Sequence, residues 1–321
     1  MVKTDVTFDS AGIPLAGHLY LPDGPSEWPR PAIVVGHPSS GVKEQTAGLY
    51  ARRLAGQGFV TLAFDAAYQG ESGGEPRGLE DPAHRVEDLK AAVSFLTTRD
   101  EVDAERIGML GVCASGGFVL NAASGDVRVK AVGTVSAVDL SRQFRLGADG
   151  TQDPAVIRGM LGAAASARVT EARGGGVRYF EIFPDTEEEA RRGGSHAYEG
   201  WEYYRTPRAA HPRSARSLTW SSVDRIAAFD AFAPLALLGP RPLLMIVGSD
   251  AVTSWMSVAA FQKVTGPKEL VRIDGASHVD LYDRKEYVDP AVERLTAFFT
   301  EHLGSSTGSR DETTGDQAAL A

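Results

Sequence analysis

The chain opens with two short alternating stretches. Val6 and Phe8 share one face of a predicted strand, a turn falls at Gly12 and Pro14, and Leu15, Leu19 and Leu21 around Gly17 form a second strand ending at Pro22. Period-two alternation across a tight turn reads as an antiparallel hairpin. Residues 23–31 are a proline-rich loop. From Ala32 to Val35 the alternation gives way to an unbroken apolar run, the signature of a strand buried on both faces of a parallel sheet. Further buried strands are expected at Phe59–Phe64, Ile107–Val112 and Val129–Val135, with helices over 43–57 and 114–123. Between them, Asp81-Pro82 supplies an N-cap and a first-turn proline. The helix that follows carries Val86, Leu89, Val93 and Leu96 on one face. Strands alternating with helices predict an α/β fold with a mainly parallel sheet and helices on both faces.

The alternation stops near Asp139. Residues 140–235 hold a Gly-Gly-Gly run at 174–176, an acidic run at 187–189 and many aromatics between Trp201 and Trp220, and read as a mostly helical insertion. Alternation resumes with Leu243–Val247, a helix near 254–264, a strand at Leu270–Ile273 and a last helix from Asp289-Pro290 to about Leu303, anchored by Val292, Leu295, Phe298 and Phe299. Residues 304–321 are polar and poor in bulky apolar side chains, the composition of a disordered tail.

Composition then narrows the classes. The 321 residues are 43% hydrophobic and 23% charged, ordinary for a globular chain long enough to bury a large core. A net charge of −9 argues against a nucleic-acid surface. No stretch approaches the ~18 apolar residues of a membrane span, and the N-terminal MVKTDVTFDS has no apolar run of a signal peptide. The expectation is a cytoplasmic protein without membrane or nucleic-acid partners, acting on a small molecule. The single cysteine excludes an internal disulfide framework and multi-cysteine metal sites; no metal or cofactor is expected.

That cysteine sits in the most informative segment, RIGMLGVCASGG, where a buried strand runs straight into a helix through small residues. This is the context of a nucleophile elbow, whose strained turn demands small neighbours. Gly111 lies two before Cys113, Ser115 two after, and Gly116 and Gly117 follow, so Cys113 takes the central position. The start of the helix would favour its thiolate through the helix dipole. Ser115, with Gly117 two after it, is the alternative centre.

A nucleophilic thiol wants a base, and the base an orienting acid, in the chain order nucleophile, acid, histidine. Of seven histidines, His278 alone follows the last strand, in a Gly-Ala-Ser loop suited to the carboxyl edge of the sheet. His37, His211 and His302 read as a site-lining or structural residue, a substrate contact and a surface residue. Asp250, in the loop after strand 243–247, is the favoured acid, with Asp139 as the alternative. An oxyanion hole needs two backbone N–H groups. Ala114 would supply one and Ser39 or Ser40, in GHPSSGVKEQ, the other. Glu44 is near enough in sequence to approach the thiol. Tyr204, Arg205 and His211, in YYRTPRAAHP, are candidate substrate contacts. Thirteen arginines and no lysine in 140–235 would suit carboxylate recognition, but the whole chain favours arginine.

With these residues in place, the chain resembles the α/β-hydrolase superfamily, and within it the dienelactone-hydrolase-like hydrolases and the bacterial enzymes near the X-Pro dipeptidyl-peptidase-type esterases. The carrying segments are LAGHLYLP, IVVGHPSSGVKEQTAGLYA, FDAAYQGESGGEPRG, RVEDLKAAVSFL, RIGMLGVCASGG, YYRTPRAAHP and GASHVDLYD, across residues 5–303. The resemblance implies an α/β-hydrolase core over 1–139 and 236–303, a helical cap over 140–235, and a catalytic triad of Cys113, Asp250 and His278. It also aligns Glu44 with a glutamate that contacts the resting thiol. The chain departs from the family in having Ser115 where a glycine is usual, and in the length of its insertion. The expected activity is a cysteine-nucleophile hydrolase of an ester, lactone or thioester of a small apolar or aromatic molecule. Non-hydrolytic acyl transfer, cyclisation or rearrangement at the same site is the alternative, and a homodimer is a candidate assembly.

Overall fold

The computed structural model describes residues 1–23 and 29–304. The tail expected to be disordered falls outside them from residue 305, as do residues 24–28 of the proline-rich loop.

The opening hairpin is β1 (Val2–Ser10) and β2 (Ile13–Leu21), paired antiparallel. β2 joins the main sheet antiparallel to β4 (Val60–Phe64). The remaining strands are parallel: β3 (Arg30–Gly36), β5 (Val102–Val112), β6 (Val129–Val135), β9 (Leu243–Gly248) and β10 (Lys268–Ile273). The sheet has eight strands in the order β1-β2-β4-β3-β5-β6-β9-β10. The runs read as doubly buried are so: every residue of β4 and β9 is buried. Helices cover both faces, α2 (Pro82–Thr97) and α3 (Ala114–Gly125) on one and α1 (Thr46–Ala55) and α11 (Lys285–Leu303) on the other, each within its own apolar cluster.

Local signals placed most boundaries. Asp81 caps α2 by accepting from the N–H groups of Ala83 (3.1 Å) and His84 (3.4 Å), with Pro82 as its first residue. The same reading fails at Asp289-Pro290, because α11 starts five residues earlier and carries Pro290 inside it. The Asp289 carboxylate is engaged instead by Arg53 (2.7 Å) and Lys285, and burial of Val288 holds the turn upstream of the proline.

Between β6 and β9 the chain leaves the sheet. It forms α4 (Leu140–Leu146), α5 (Pro154–Ala172), β7 (Tyr179–Glu181), α6 (Glu187–Arg192), α7 (Ser195–Arg205), β8 (Ser217–Thr219) and α8 (Ser221–Ala228), followed by a 3₁₀ turn over Leu235–Leu238. β7 and β8 pair as a small separate sheet. Leu140, Ile226, Phe232 and Leu235 belong to the main core, whereas Ile157, Ala164 and Val223 form a cluster of their own.

The parallel strands all end on one edge. Sequence order reverses between β3 and β5, since β4 lies on one side of β3 and β5 on the other. Open α/β sheets form their crevices at such a switch point. Here it brings the loop after β3 beside the loop after β5.

Candidate active site

Cys113 lies between β5 and α3 at φ 57°, ψ −120°, a backbone region costly for any residue with a side chain. The turn survives because its neighbours leave room. A Cβ on Gly111 would stand 2.2 Å from the Ser115 carbonyl oxygen, so no larger residue fits. Ser115, the family departure, is accommodated by β3. Its buried hydroxyl donates to the His37 carbonyl oxygen at 2.5 Å, in space kept open by Gly36, where a Cβ would lie 2.8 Å from the serine side chain. Ser115 therefore faces the sheet and not the cavity described below.

At Cys113 desolvation acts against the dipole of α3 and favours the protonated thiol. Burial pushes the Cys113 thiol up to about 11, against the downward pull of the neighbouring Tyr282 hydroxyl and the Ala114 N–H.

His278 is fully buried in the loop after β10. Its Nε2 is 3.0 Å from the Tyr282 hydroxyl, and Tyr282 lines the same cavity as Cys113. Its Nδ1 meets the Thr253 hydroxyl at 2.5 Å. Asp250 does not reach it: the side chain is exposed in the turn after β9 and accepts from the Ser249 hydroxyl at 2.9 Å. Asp139 is buried but caps α4, accepting from the Ser141 N–H (2.9 Å) and hydroxyl (2.7 Å), and pairs with Arg142. Among the described residues no carboxylate is hydrogen-bonded or ion-paired with His278. Burial, and then the neighbouring His196, hold its pKa well below the usual imidazole value, so the ring is neutral.

The loop after β3 is tied from both sides. The Ser39 hydroxyl donates to Glu80 (3.0 Å), a buried carboxylate whose pKa burial raises. The Ser40 carbonyl accepts from the Ser214 hydroxyl (2.6 Å) and the Ala215 N–H (3.2 Å). Ser39, Ser40 and Cys113 line one cavity, and the Ala114 N–H lies against the sulfur, so the expected oxyanion donors gather beside the thiol.

Three expected contacts fall elsewhere. Glu44 is not at the thiol; it pairs with Lys43 (3.0 Å) and Arg213 (2.6 Å), and these cations outweigh its burial and hold it down at about 2. Arg205 pairs with Glu181 (2.8 Å) and Asp185 (3.3 Å). His211 accepts from the Arg213 N–H and borders a separate small pocket. Tyr204 does line the cavity; its buried hydroxyl lies near Ser40 and Cys113 without a hydrogen bond of ordinary geometry.

The cavity above Cys113 has a volume of about 400 Å³. Leu140, Phe144, Met160, Phe180, Phe183 and Leu218 make much of its wall; no lysine or arginine is in it, and Glu181 is its one carboxylate. The carboxylate recognition suggested by the arginine content therefore has no counterpart in this wall.

Three site residues carry no motif of their own. Tyr282 lies four after His278, a spacing that shares a helical face, and this is the one sequence signal available. Thr253 shares a loop with Asp250 and nothing marks it. His196 stands edge-on to His278 with ring centroids 4.8 Å apart, accepts at Nε2 from the Gln143 amide N–H at 3.1 Å, and is driven by burial down to about 4. His37, buried beside Arg85, is likewise held well below its usual value by burial and that cation.

His37, His196 and His278 have folded pKa values below the unfolded one, so their contribution to stability is present above about pH 6.5 and is lost as pH falls through the folded values. Urea midpoints should fall steadily between pH 7 and about pH 4, the value reached by His196. His196→Gln should remove part of that slope. A midpoint constant over this range would show that these rings do not stay neutral.

A mainly parallel eight-stranded sheet with a residue held in a tight turn between a central strand and its helix, and a buried histidine beyond the last strand, defines the α/β-hydrolase fold. The Dienelactone hydrolase family model matches residues 15–138. The chain is 40% identical over 308 residues to the uncharacterized protein YcjY of Escherichia coli K12, covering 94% of this chain and all of that one. It belongs to one family with YcjY, carries a dienelactone hydrolase family region over residues 15–138, and is an enzyme of the dienelactone-hydrolase-like hydrolase class. The crystal structure of hypothetical protein PA2218 from Pseudomonas aeruginosa superposes with a TM-score of 0.87 at 38% identity, covering 94% of each chain. More distantly, the acyltransferase drtE of Aspergillus calidoustus is 26% identical over 279 residues, 84% of this chain and 86% of that protein.

Proposed function

We propose that this hydrolase uses Cys113 as a nucleophile on a thioester, or on an ester or lactone with an equally good leaving group, whose acyl part is neutral and apolar or aromatic. The observation that carries the reading is the thiol at the elbow, opening into an apolar cavity of about 400 Å³ with no cationic lining. An anionic acyl chain would meet Glu181 and no counter-charge. The segment 140–235 serves as the cap: α4, α7 and the β7–β8 pair supply much of the wall.

The leaving group follows from the base. His278 has a hydroxyl at Nδ1 where a carboxylate would stabilise an imidazolium. A base so placed can hold a proton only briefly, which suits a leaving thiolate or enolate better than an alkoxide needing full protonation. The Cys113 sulfur attacks the carbonyl carbon, and the Ala114 N–H with that of Ser39 or Ser40 takes the developing oxyanion. The leaving group departs with a proton from His278, and water activated by His278 releases the acid.

Intact-mass measurement with S-butyryl and S-benzoyl N-acetylcysteamine tests the step. The expected result is an acyl adduct confined to Cys113 and ¹⁸O from labelled water in the released acid. An adduct elsewhere would sink the assignment. Acyl transfer is the second reading, favoured by the missing carboxylate and by the relative named an acyltransferase; there the adduct forms but ¹⁸O does not enter the product.

The same site predicts an inversion of the usual triad mutagenesis. Asp250→Asn should leave kcat/KM within about twofold, the scale of an exposed substitution. Thr253→Val, which removes the hydroxyl at Nδ1 with little change of volume, should lower it about tenfold or more by releasing the ring. A large loss in Asp250→Asn with none in Thr253→Val would return the acid role to Asp250.

A further inference from the structure

The thiol and the imidazole are not joined directly. Among the described residues no hydrogen bond links Cys113 to His278; the Tyr282 hydroxyl is 3.0 Å from Nε2, and Tyr282 lines the same cavity as Cys113, near enough to bear on the thiol's ionisation. Tyr282 is 2% exposed, packed edge-on against Tyr203 with centroids 5.1 Å apart, and its hydroxyl end borders the cavity. Behind the imidazole lies Thr253. The result is a continuous line, Cys113–Tyr282–His278–Thr253, in which every middle member can both give and take a proton.

We propose that Tyr282 is a catalytic residue of this site, its hydroxyl carrying the thiol proton to His278 and returning a proton to the leaving group. The proposal rests on Cys113 being the nucleophile. In the forward step the Sγ–H bond breaks as the Tyr282 oxygen takes that proton, and the tyrosine's own O–H bond breaks as Nε2 takes the other. The tyrosine is neutral before and after. The sulfur electron pair forms the C–S bond, the carbonyl π pair moves to oxygen, and the positive charge resides on the imidazole. On collapse of the intermediate, Nε2 gives its proton back to the tyrosine oxygen, which passes its own to the leaving group.

Two features of the structure fit this path. For Tyr282 to donate to Nε2, the ring must carry its resting proton on Nδ1, and the Thr253 hydroxyl is there to accept it at 2.5 Å. Burial also pushes the tyrosine's own ionisation well above its usual value, so it works as a neutral hydroxyl and never as a phenolate. A direct thiol–imidazole pair would need the same tautomer but no tyrosine hydroxyl at Nε2.

Because the chain has one cysteine, iodoacetamide reads the proton path without a substrate. Wild-type alkylation followed from pH 5 to 11 should show a plateau through neutral pH, where neutral His278 removes the thiol proton through Tyr282. A further rise should follow as the thiol itself ionises near its value of about 11. Tyr282→Phe should lose the plateau, reacting at least about tenfold more slowly at pH 7.5, while keeping the high-pH limb that shows the fold intact. A plateau unchanged in Tyr282→Phe, with Cys113→Ala inactive on S-butyryl N-acetylcysteamine, overturns the relay alone. Wild-type turnover by Cys113→Ala overturns the nucleophile, and the relay's catalytic role with it.

Discussion

Cys113→Ala is expected to lower turnover of an acyl thioester by about 10⁴-fold or more, the scale seen when a covalent nucleophile is removed and only binding and oxyanion stabilisation remain. No other side chain can take over. Ser115 is nearest in sequence, but its hydroxyl is buried and committed to the His37 carbonyl at 2.5 Å. The loss should be almost entirely in kcat, because the apolar wall that binds the acyl chain is untouched. Steady-state kinetics on S-butyryl N-acetylcysteamine, with circular dichroism to confirm folding, decides it. A residual rate within tenfold of wild type would mean that bond breaking runs through another group.

Gly111→Ala should be among the most destabilising single methyl additions in the molecule. The added Cβ would lie 2.2 Å from the Ser115 carbonyl oxygen, 2.5 Å from its carbon and 2.7 Å from the Gly116 nitrogen, all backbone atoms. A flexible side chain could move aside, but here the first turn of α3 must shift against the buried C-terminal half of β5. A loss of about 3 kcal/mol or more follows, in the range of overpacked cores and distorted special backbone. Activity should fall with it, because the elbow cannot keep its geometry. Gly159→Ala in α5 is the control: its Cβ meets nothing within 4 Å, and a helix-interior alanine should add about 0.5–1 kcal/mol. Thermal melts of both variants should move in opposite directions. A Gly111→Ala protein melting with wild type would mean the turn has slack that the contacts do not show.

The fold was legible because its signals are local and repeated. Apolar runs such as Ala32–Val35 and Leu243–Val247 announce strands covered on both faces, and Asp81-Pro82 announces the start of α2. The elbow was legible for the same reason: glycines at 111, 116 and 117 are a local record of how little space the turn has. Ser115 looked like an exception only because the relief it needs, Gly36, lies on another strand.

The partners of the thiol were less legible because proximity across loops has no local signature. Asp250 and Thr253 are three residues apart in one turn, and their sequence positions serve equally well. What separates them is which side chain turns inward; Thr253 is 1% exposed and meets His278, whereas Asp250 is exposed. Glu44 was drawn away from the thiol by cations at Lys43 and Arg213, the second of them 169 positions along the chain. His196 reaches the site from α7, in a segment whose composition reads only as helical.

By itself, then, the sequence determined the sheet and its helices, the elbow with Cys113 at its centre, and His278 as the histidine beyond the last strand, because hydrophobic periodicity and steric need for glycine are written residue by residue. Only the tertiary structure decided the surroundings of the thiol, the threonine and the tyrosine at the imidazole, and the absence of cations from the cavity wall. Those depend on burial and on which loops converge at the edge of the sheet, and both are properties of the packed chain as a whole.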